Sequence, residues 1–325
     1  MNLRKSLRTK SWFFALTICL AAATLLGSQC PESGSGADVV WPVSGTETPD
    51  APLSSAFGPR LKISEGSRYD FHRGVDIPAP LGSDVHAIVD GTVRLAGTYP
   101  QYSDMIVQIT HDDGDGGVYY SNSIHLSKVS TSEGAVVQAG DVIGQTGVGD
   151  SGFPHLHFEI RDEGLFQRDC INPFEVLPYA DESAPAVTID AIDVSDPMSP
   201  DVTVTVSLPR SEPDDELDFN AVTVSILDQD GAKQTLVDEH SFDITEWNYE
   251  FTPMPPDDPV AILDQADFNG VLVEPETFST TSDEYVMHFT FYDLMGLADA
   301  STMLVRAVAA DIMGNAAEAT MAAAR

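Results

Sequence analysis

Apolar and polar residues alternate in short runs along most of this chain from about residue 52 onward, and helical periodicity is not sustained anywhere between 52 and 180. Successive side chains of a strand point to opposite faces, so runs of this kind predict half-buried strands. Turn residues such as Asp90-Gly91 separate them. The alternating runs lie at 85–93, 105–110 and 135–144, the last predicted to be a hairpin. The pattern therefore predicts an all-β, mostly antiparallel domain.

The pattern changes near residue 181. Asp181-Glu182-Ser183-Ala184-Pro185 is typical of a linker, and further short strands are predicted after it. They lie at 187–192, 202–206, 221–227, 285–292 and 303–310. Several short strands separated by turn signals over this length favour a second domain with a β-sandwich fold, immunoglobulin-like in character.

Two polar clusters interrupt the strand pattern in the first domain. In the run 154–160, His155, His157 and Glu159 would line one face of a strand, while apolar residues line the other. Upstream, His72 and Asp76 share the same parity, so in an extended segment both would point the same way. Together the clusters supply a two-histidine, one-carboxylate zinc site with a spare histidine, which suggests metal-assisted hydrolysis.

The amino end has the pattern of a secretory signal peptide over residues 1–30. Four basic residues fall within the first ten positions, and an apolar stretch follows from 11 to 27. An uncleaved anchor is the alternative. Cys30 follows the apolar stretch, as in bacterial lipoproteins, although Gln29 replaces the usual small residue. If Cys30 is acylated, it is the one expected membrane attachment and Cys170 is a lone thiol; otherwise the two can form a disulfide.

Composition then sets the domain plan and excludes some partners. Residues 31–50 are rich in Gly, Ser, Pro and Thr and predict a flexible linker, although Trp41-Pro42-Val43 could begin the folded unit. The domain with the two polar clusters is then assigned to 51–180 and an acidic domain to 181–325. The chain has 51 acidic and 16 basic residues, which argues against nucleic acid or an anionic membrane surface as a partner. Residues 181–325 hold 30 acidic residues and show no metal or nucleophile constellation.

Several segments in order resemble the lysostaphin-type (LytM-like) zinc endopeptidases, which cut peptide bonds in bacterial peptidoglycan. They are FGPR at 57–60, FHRGVDIPAPLGSDVHAIVDGTV at 71–93, HLSKV at 125–129 and GDVIGQTGVGDSGFPHLHFEI at 140–160. The resemblance covers roughly 52 to 178. It implies one Zn²⁺, held by His72, Asp76 and His157 and activating a water. It also implies that His125 and His155 are the catalytic pair that orients and deprotonates this water.

The resemblance also implies where the protein acts and on what. We expect an exported protein of the cell envelope (periplasm or outer membrane) or the extracellular space, with a peptidoglycan peptide as its substrate. His86 and His111 are interpreted as structural. Ser123 departs from the family pattern, since an aromatic residue usually stands two residues before the histidine at 125.

Three other functions remain open at this point. The first is a protein without catalytic activity that binds wall peptides or regulates a cell-wall hydrolase. In the second, the acidic domain has the main role as an adhesin or docking module. The third keeps the chemistry but has a secreted protein as its substrate.

Overall fold

The computed structural model describes most of the chain beyond its amino-terminal segment. The described residues are 39–46, 52–62, 65–102, 104–149, 152–209, 217–230, 233–253, 265–278, 281–297 and 303–323. The predicted signal peptide, Cys30 and much of the predicted linker lie outside them. Within these ranges no helix is both long and apolar enough to cross a membrane.

Within the described ranges, the first half of the chain contains eleven strands, all paired antiparallel. These are β1 (Gly58–Lys62), β2 (Arg68–His72), β3 (Val75–Pro78), β4 (Asp84–His86), β5 (Gly91–Thr98), β6 (Met105–Asp112), β7 (Val118–Val129), β8 (Val136–Val137), β9 (Val142–Val148), β10 (Pro154–Asp162) and β11 (Cys170–Ile171). Strands β1 and β2 form a ribbon, and the other nine form one sheet in the order β11-β10-β9-β7-β6-β5-β8. Off this path, β3 pairs with β10 and β4 with β9. Short 3₁₀ turns at Gln167–Asp169 and Pro173–Glu175 flank β11.

The hairpin predicted at 135–144 is wrong. Strand β8 pairs with β5, whereas β9 pairs with β4, β7 and β10. The turn between them contacts another part of the chain, because the Gly140 amide donates a hydrogen bond of 2.9 Å to the Ala87 carbonyl. Turn residues thus mark where a strand ends but not which strand it will meet.

The folded unit begins before residue 51. Trp41, assigned to the flexible linker by its neighbours' composition, is buried in the core, and its indole Nε1 donates to the Pro178 carbonyl at 2.9 Å. The Val40 amide donates to the Ile88 carbonyl at 2.8 Å. A buried indole N–H needs such an acceptor, so residues 39–46 are part of the first domain's packing.

The second half forms two further antiparallel sheets, which confirms the mostly antiparallel β prediction. Their strands are β12 (Ala186–Asp193), β13 (Asp201–Pro209), β14 (Phe219–Asp230), β15 (Lys233–Asp243), β16 (Asp267–Phe268), β17 (Val271–Pro275), β18 (Glu284–Phe291), β19 (Met303–Asp311) and β20 (Ala316–Ala322). The orders are β12-β13-β18-β17-β16 and β15-β14-β19-β20. The two sheets pack through aromatic rings. The ring centroid of Phe289 lies 5.6 Å from that of Phe219 and 5.2 Å from that of Phe242.

One helix, α1 (Ile244–Phe251), connects β15 to the rest of the second half, and a 3₁₀ turn follows at Met295–Leu297. Asp243 caps the helix by accepting a hydrogen bond from the Glu246 amide at 2.9 Å. Its eight residues are too few for a helical period to stand out in the sequence, and the sequence analysis did not predict it.

Helix α1 docks against the first half of the chain. Asn248 is fully buried, and its Nδ2 donates to the carbonyls of Gln167 at 2.9 Å and Cys170 at 3.0 Å. Ile244 packs so closely on β1 that a Cβ at Gly58 would lie 2.1 Å from its Cδ1. Gly58 also has a φ of 112°, where a side chain is strained. The two halves therefore share a tight and specific contact.

Asn248→Ala is expected to destabilise the chain by about 1–3 kcal/mol, because it leaves buried carbonyl groups without donors. Urea unfolding followed by intrinsic fluorescence measures the change in midpoint. Glu250→Ala, at an exposed position of the same helix, is the matched control and should stay within about 0.5 kcal/mol of the parent. Equal midpoints for both variants would show that the docking contact adds no stability.

Candidate metal and catalytic site

Three side chains from three strands converge at one edge of the main sheet. His72 ends β2, Asp76 lies on β3 and His157 lies on β10. His72 Nε2 is 2.9 Å from His157 Nδ1, and Asp76 Oδ1 is 3.0 Å from His157 Nδ1 and 3.2 Å from His72 Nε2. The antiparallel register of β3 and β10 places Asp76 directly opposite His157.

His72 and Asp76 come together by a different local structure from the one predicted. The segment is not one extended strand, since it breaks at Arg73 and Gly74 between β2 and β3. At this break the backbone passes so close to β10 that a Cβ at Gly74 would lie 2.3 Å from the Phe158 carbonyl oxygen. Glycine is the one residue that fits there, and it lets Asp76 enter the sheet beside His157.

The second nitrogen of His72 is fixed by backbone. Its Nδ1 lies 2.7 Å from the Ala56 carbonyl oxygen, which can only accept, so Nδ1 carries the proton and Nε2 offers a lone pair to the cluster. Burial, followed by the positive charge of Arg60, lowers the pKa of His72 to about 4. His72 is therefore neutral near pH 7, the form that binds a metal.

His157 is oriented in the same way by a carboxylate. Its Nε2 lies 3.2 Å from Glu159 Oε1 and its Nδ1 faces His72 and Asp76. Burial opposes a charge on this ring, but the carboxylates of Asp76 and Glu159 outweigh it and raise the pKa of His157 to about 9. The raised pKa favours a proton on His157 Nδ1, where His72 Nε2 and Asp76 Oδ1 can both accept a hydrogen bond from it. Metal binding at such a site displaces the proton.

Asp76 uses its two oxygens differently. Oδ1 faces the two imidazoles, whereas Oδ2 accepts a hydrogen bond from Arg60 Nη1 at 3.0 Å. Burial by itself would raise the pKa of Asp76. The hydrogen bond from His157 Nδ1 and the positive charge of Arg60 instead hold the pKa of Asp76 well below its usual range. The carboxylate stays ionised and is held in one orientation.

Glu159 lies next to the cluster and contacts His157, Arg161 and Asn122. It is buried, and its Oε2 accepts hydrogen bonds from Arg161 Nη2 at 2.6 Å and Asn122 Nδ2 at 2.8 Å. The sequence analysis assigned it no role, although its parity with His155 and His157 on β10 was the available signal. A buried carboxylate with this many donors stays charged and can orient the histidine it touches.

His125 and His155 flank the same cluster. Their ring centroids are 5.0 Å apart, the His125 ring is 5.8 Å from the His157 ring, and His155 Nε2 is 3.8 Å from Asp76 Oδ1. His155 Nδ1 lies 2.8 Å from the Phe153 carbonyl oxygen and donates to it, so Nε2 is directed towards the cluster. All five histidine and aspartate residues that the sequence analysis singled out are thus brought together.

Asp104 orients the His125 ring through a hydrogen bond that the sequence did not predict. His125 Nδ1 lies 2.6 Å from Asp104 Oδ2, across 21 positions of sequence with no motif to connect them. Burial, and then the nearby His157, lower the pKa of His125 below its usual value, while Asp104 works in the opposite direction. His125 also has a φ of 62°, and a Cβ at Gly149 would lie 2.8 Å from its ring. Backbone and loop together hold this imidazole in place.

The remaining histidines of the first half have other partners. His86 Nδ1 bonds to the Gly140 carbonyl at 2.8 Å, and His111 bridges the Asp90 carbonyl and the Ser121 hydroxyl. Cys170 is buried, and burial raises the pKa of its thiol well above the usual value. Its proposed disulfide partner, Cys30, lies outside the described residues.

The donor set fits a zinc ion. Ligand atoms 2.9 to 3.2 Å apart can each lie about 2.0–2.2 Å from a shared centre, as nitrogen and carboxylate ligands of zinc do. Two imidazoles and one carboxylate leave a fourth coordination position open, the arrangement of catalytic zinc sites. His125 and His155 border the cluster from outside the ligand triangle.

Comparisons with known proteins agree with this geometry. Residues 70–173 match the profile described as peptidase family M23. This span includes His72, Asp76, His125, His155 and His157. Peptidoglycan DD-endopeptidase ShyA of Vibrio cholerae is 35% identical over 113 residues, which are 34% of this chain and 25% of that protein. DD-carboxypeptidase/endopeptidase Mpg of Neisseria meningitidis is 35% identical over 139 residues, 41% of this chain and 30% of its own.

A third relative bears a different kind of name. Stage II sporulation protein Q of Bacillus subtilis is 36% identical over 121 residues, 35% of this chain and 39% of that protein. Among solved structures, the catalytic domain of the peptidase lysostaphin from Staphylococcus simulans is 29% identical, covers 39% of this chain and 92% of its own, and aligns with a TM-score of 0.35.

The chain spans well under half the length of these curated relatives. The family match at 70–173 covers the cluster. The sequence match confirms the resemblance inferred from the motifs. The part of this chain that matches peptidase family M23, residues 70–173, is the part that contains His72, Asp76 and His157.

Proposed function

We propose that this protein is an exported zinc metalloendopeptidase that hydrolyses peptide bonds in bacterial peptidoglycan. One observation carries the proposal: the ligand atoms of His72, Asp76 and His157 form a triangle with edges of 2.9 to 3.2 Å. The zinc dependence of family M23 supports assigning these three residues as the ligands. Names of the relatives ShyA and Mpg support a cross-linking peptide as the substrate.

A bound zinc ion would lower the pKa of a water molecule to about 7 and polarise the scissile carbonyl group. Side chains of the protein then accept and donate the protons of the reaction. His125 Nδ1–H donates a hydrogen bond to Asp104, so Nε2 has a free lone pair and can take a proton from the water as the carbonyl is attacked. The same proton can pass to the departing amine, which leaves a carboxylate and a free amine as products.

His155 plays the complementary role across the cluster. Its Nδ1–H bond to the Phe153 carbonyl directs Nε2 to the side where Asp76 Oδ1 lies, at 3.8 Å. In its doubly protonated form, this ring can donate a hydrogen bond to the negative oxygen that develops on the substrate carbonyl. His125 and His155 are therefore assigned as the catalytic pair.

The rest of the chain fits an envelope protein built in two parts. The proposal assigns 1–30 to a signal peptide, with Cys30 as the site of lipid attachment, and 51–180 to the peptidase domain. Residues 181–325 are proposed to be an immunoglobulin-like sandwich, an assignment supported by two antiparallel sheets that meet through aromatic rings.

A second candidate function is a non-catalytic envelope protein that binds wall peptides or another protein. The name of the relative stage II sporulation protein Q, which does not describe a peptidase, favours keeping it. The two candidates differ in one measurable property, since a binding protein has no need of zinc for peptide capture.

The chain without residues 1–30, loaded with zinc, is expected to release soluble peptide fragments from purified sacculi. His157→Ala removes one ligand and should lose both zinc and at least about 100-fold of the rate, since metal-assisted charge stabilisation contributes several kcal/mol. Zinc content by mass spectrometry and fragment release by liquid chromatography measure the two effects. His240→Ala, at a half-buried histidine of β15 in the second half of the chain, is the matched control. A zinc-loaded parent that releases nothing would favour the binding function.

Glu159→Gln is expected to weaken zinc binding by about 10- to 100-fold, because the neutral amide orients the His157 ring less firmly than the carboxylate does. Competition with a chromophoric chelator gives the zinc dissociation constant. Glu163→Gln, an exposed change four positions along the chain, controls for the loss of one negative charge. Unchanged zinc affinity in Glu159→Gln would remove Glu159 from the site.

Asp104→Asn is expected to lower kcat by about 100-fold, in the range that proton-transfer groups contribute, with zinc content and KM little changed. Because the Asp104 carboxylate raises the pKa of His125, its loss should also move the acid limb of the kcat profile to lower pH. Asp104→Glu restores the carboxylate and should recover part of the rate. A pH profile identical to the parent's would show that Asp104 does not act through His125.

A further inference from the structure

A second cluster of acidic side chains lies in the other half of the chain, where the sequence analysis saw no metal constellation. Asp181 belongs to the segment between the two halves, Asp218 precedes β14 and Asp311 ends β19. One oxygen from each carboxylate lies within 4.8 Å of the other two. Asp218 is 1% exposed and Asp311 is 2% exposed, so these are not the surface acids common in acidic proteins.

The neighbours of this cluster do not balance its charge. Tyr179 Oη donates to Asp218 Oδ2 at 2.8 Å, and the Asn315 amide donates to Asp311 Oδ1 at 2.8 Å. The remaining oxygen of Asp311, Oδ2, is buried with no hydrogen-bond partner in the described part of the chain. Within that part, the three carboxylates form no ion pair with lysine or arginine. Burying a charged oxygen without a partner is costly, so this arrangement calls for a positive group.

The backbone around the cluster is built to hold it in shape. The Ile312 amide donates to the Asp218 carbonyl at 2.9 Å, which joins the end of β19 to the start of β14. The turn after Asp311 is closed by its amide bonding to the Asn315 carbonyl at 3.1 Å, with Gly314 at a φ of 86°. Asn315 Nδ2 donates to the Asp181 carbonyl at 2.9 Å and brings the linking segment to the same point.

The chemistry of the donors selects the kind of cation. All three side chains offer carboxylate oxygens and none offers nitrogen or sulfur, the ligand set preferred by hard ions such as Ca²⁺. A calcium ion takes six to eight oxygens and tolerates irregular geometry, so waters and backbone carbonyls can complete the shell. A surface cleft lined by Asp181, Pro185, Leu208 and Asp218 supplies a route from solvent.

We propose that Asp181, Asp218 and Asp311 bind a calcium ion that fastens the segment between the two halves onto the second pair of sheets. The ion would give Asp311 Oδ2 the partner that it lacks in the described part of the chain. It would join three stretches of chain that are far apart in sequence. This inference does not depend on peptidase activity, since the zinc ligands lie on other strands.

A shared proton is the competing occupant. Burial, together with the neighbouring carboxylates, raises the pKa of Asp218 to about 7, and burial also raises the pKa of Asp311. The test is therefore made at pH 8, where calcium has the advantage over protons. The protein used is the zinc-loaded chain without residues 1–30.

Terbium replaces calcium at oxygen sites, and its luminescence can be excited through a nearby tyrosine. Tyr179 touches Asp218, so terbium bound here should luminesce on excitation of tyrosine, and added Ca²⁺ should quench the signal by displacement. Millimolar Ca²⁺ should also raise the Tm of the parent, since extracellular calcium modules bind with dissociation constants of about 10⁻⁴–10⁻³ M. Asp311→Asn and Asp218→Asn keep the shape of each side chain and should lose both responses, with calcium affinity at least about 10-fold weaker.

Two further variants make the outcome decisive. Asp196→Asn removes an exposed acid of the same half and should behave as the parent does. Tyr179→Phe should lose terbium luminescence but keep the Tm increase with calcium. A parent whose Tm does not respond to Ca²⁺, or an Asp311→Asn variant that responds equally, overturns the proposal. Aspartate-to-asparagine variants that are more stable than the parent at pH 8 without any calcium response would assign the cluster to a shared proton instead.

Discussion

The antiparallel pairing of β3 with β10 is the constraint on which the rest of the site depends. It places Asp76 opposite His157, and it brings the break at Gly74 close enough that no larger residue fits. A slip of one position in this register would turn His157 to the apolar face and bring Phe158 into its place. Leu156, Phe158 and Ile160 are all buried on the opposite face of β10, so the core and the site enforce the same register.

Around that register, each ligand atom has a second contact that fixes its direction. The Ala56 carbonyl holds His72, Arg60 holds Asp76 and Glu159 holds His157. Because three acceptor atoms then face one another at about hydrogen-bond distance, they favour a positive charge at their centre. A metal ion binds there in competition with a proton, so its affinity depends on pH.

Much of this could be predicted from the sequence, for specific physical reasons. The alternation in 154–160 showed which residues share a face, and the family motifs then identified His72, Asp76, His125, His155 and His157. Strand pairing could not be predicted in the same way, as the false hairpin at 135–144 shows, because partner choice depends on long-range packing. Asp104 was missed because nothing local links it to His125. Strand β15 was missed because its residues are mostly exposed and do not alternate.

Helix α1 has a consequence for the order in which the chain can mature. The backbone carbonyl of Cys170 receives its hydrogen bond from Asn248, 78 positions later in the chain. A polypeptide is made amino end first, so the strand that leads away from the histidine cluster is completed by a residue that arrives long after the cluster itself. The first half therefore passes through a stage in which its ligands have all been synthesised but its outer edge is unfinished. The packing of the first half is therefore completed by a residue of the second half.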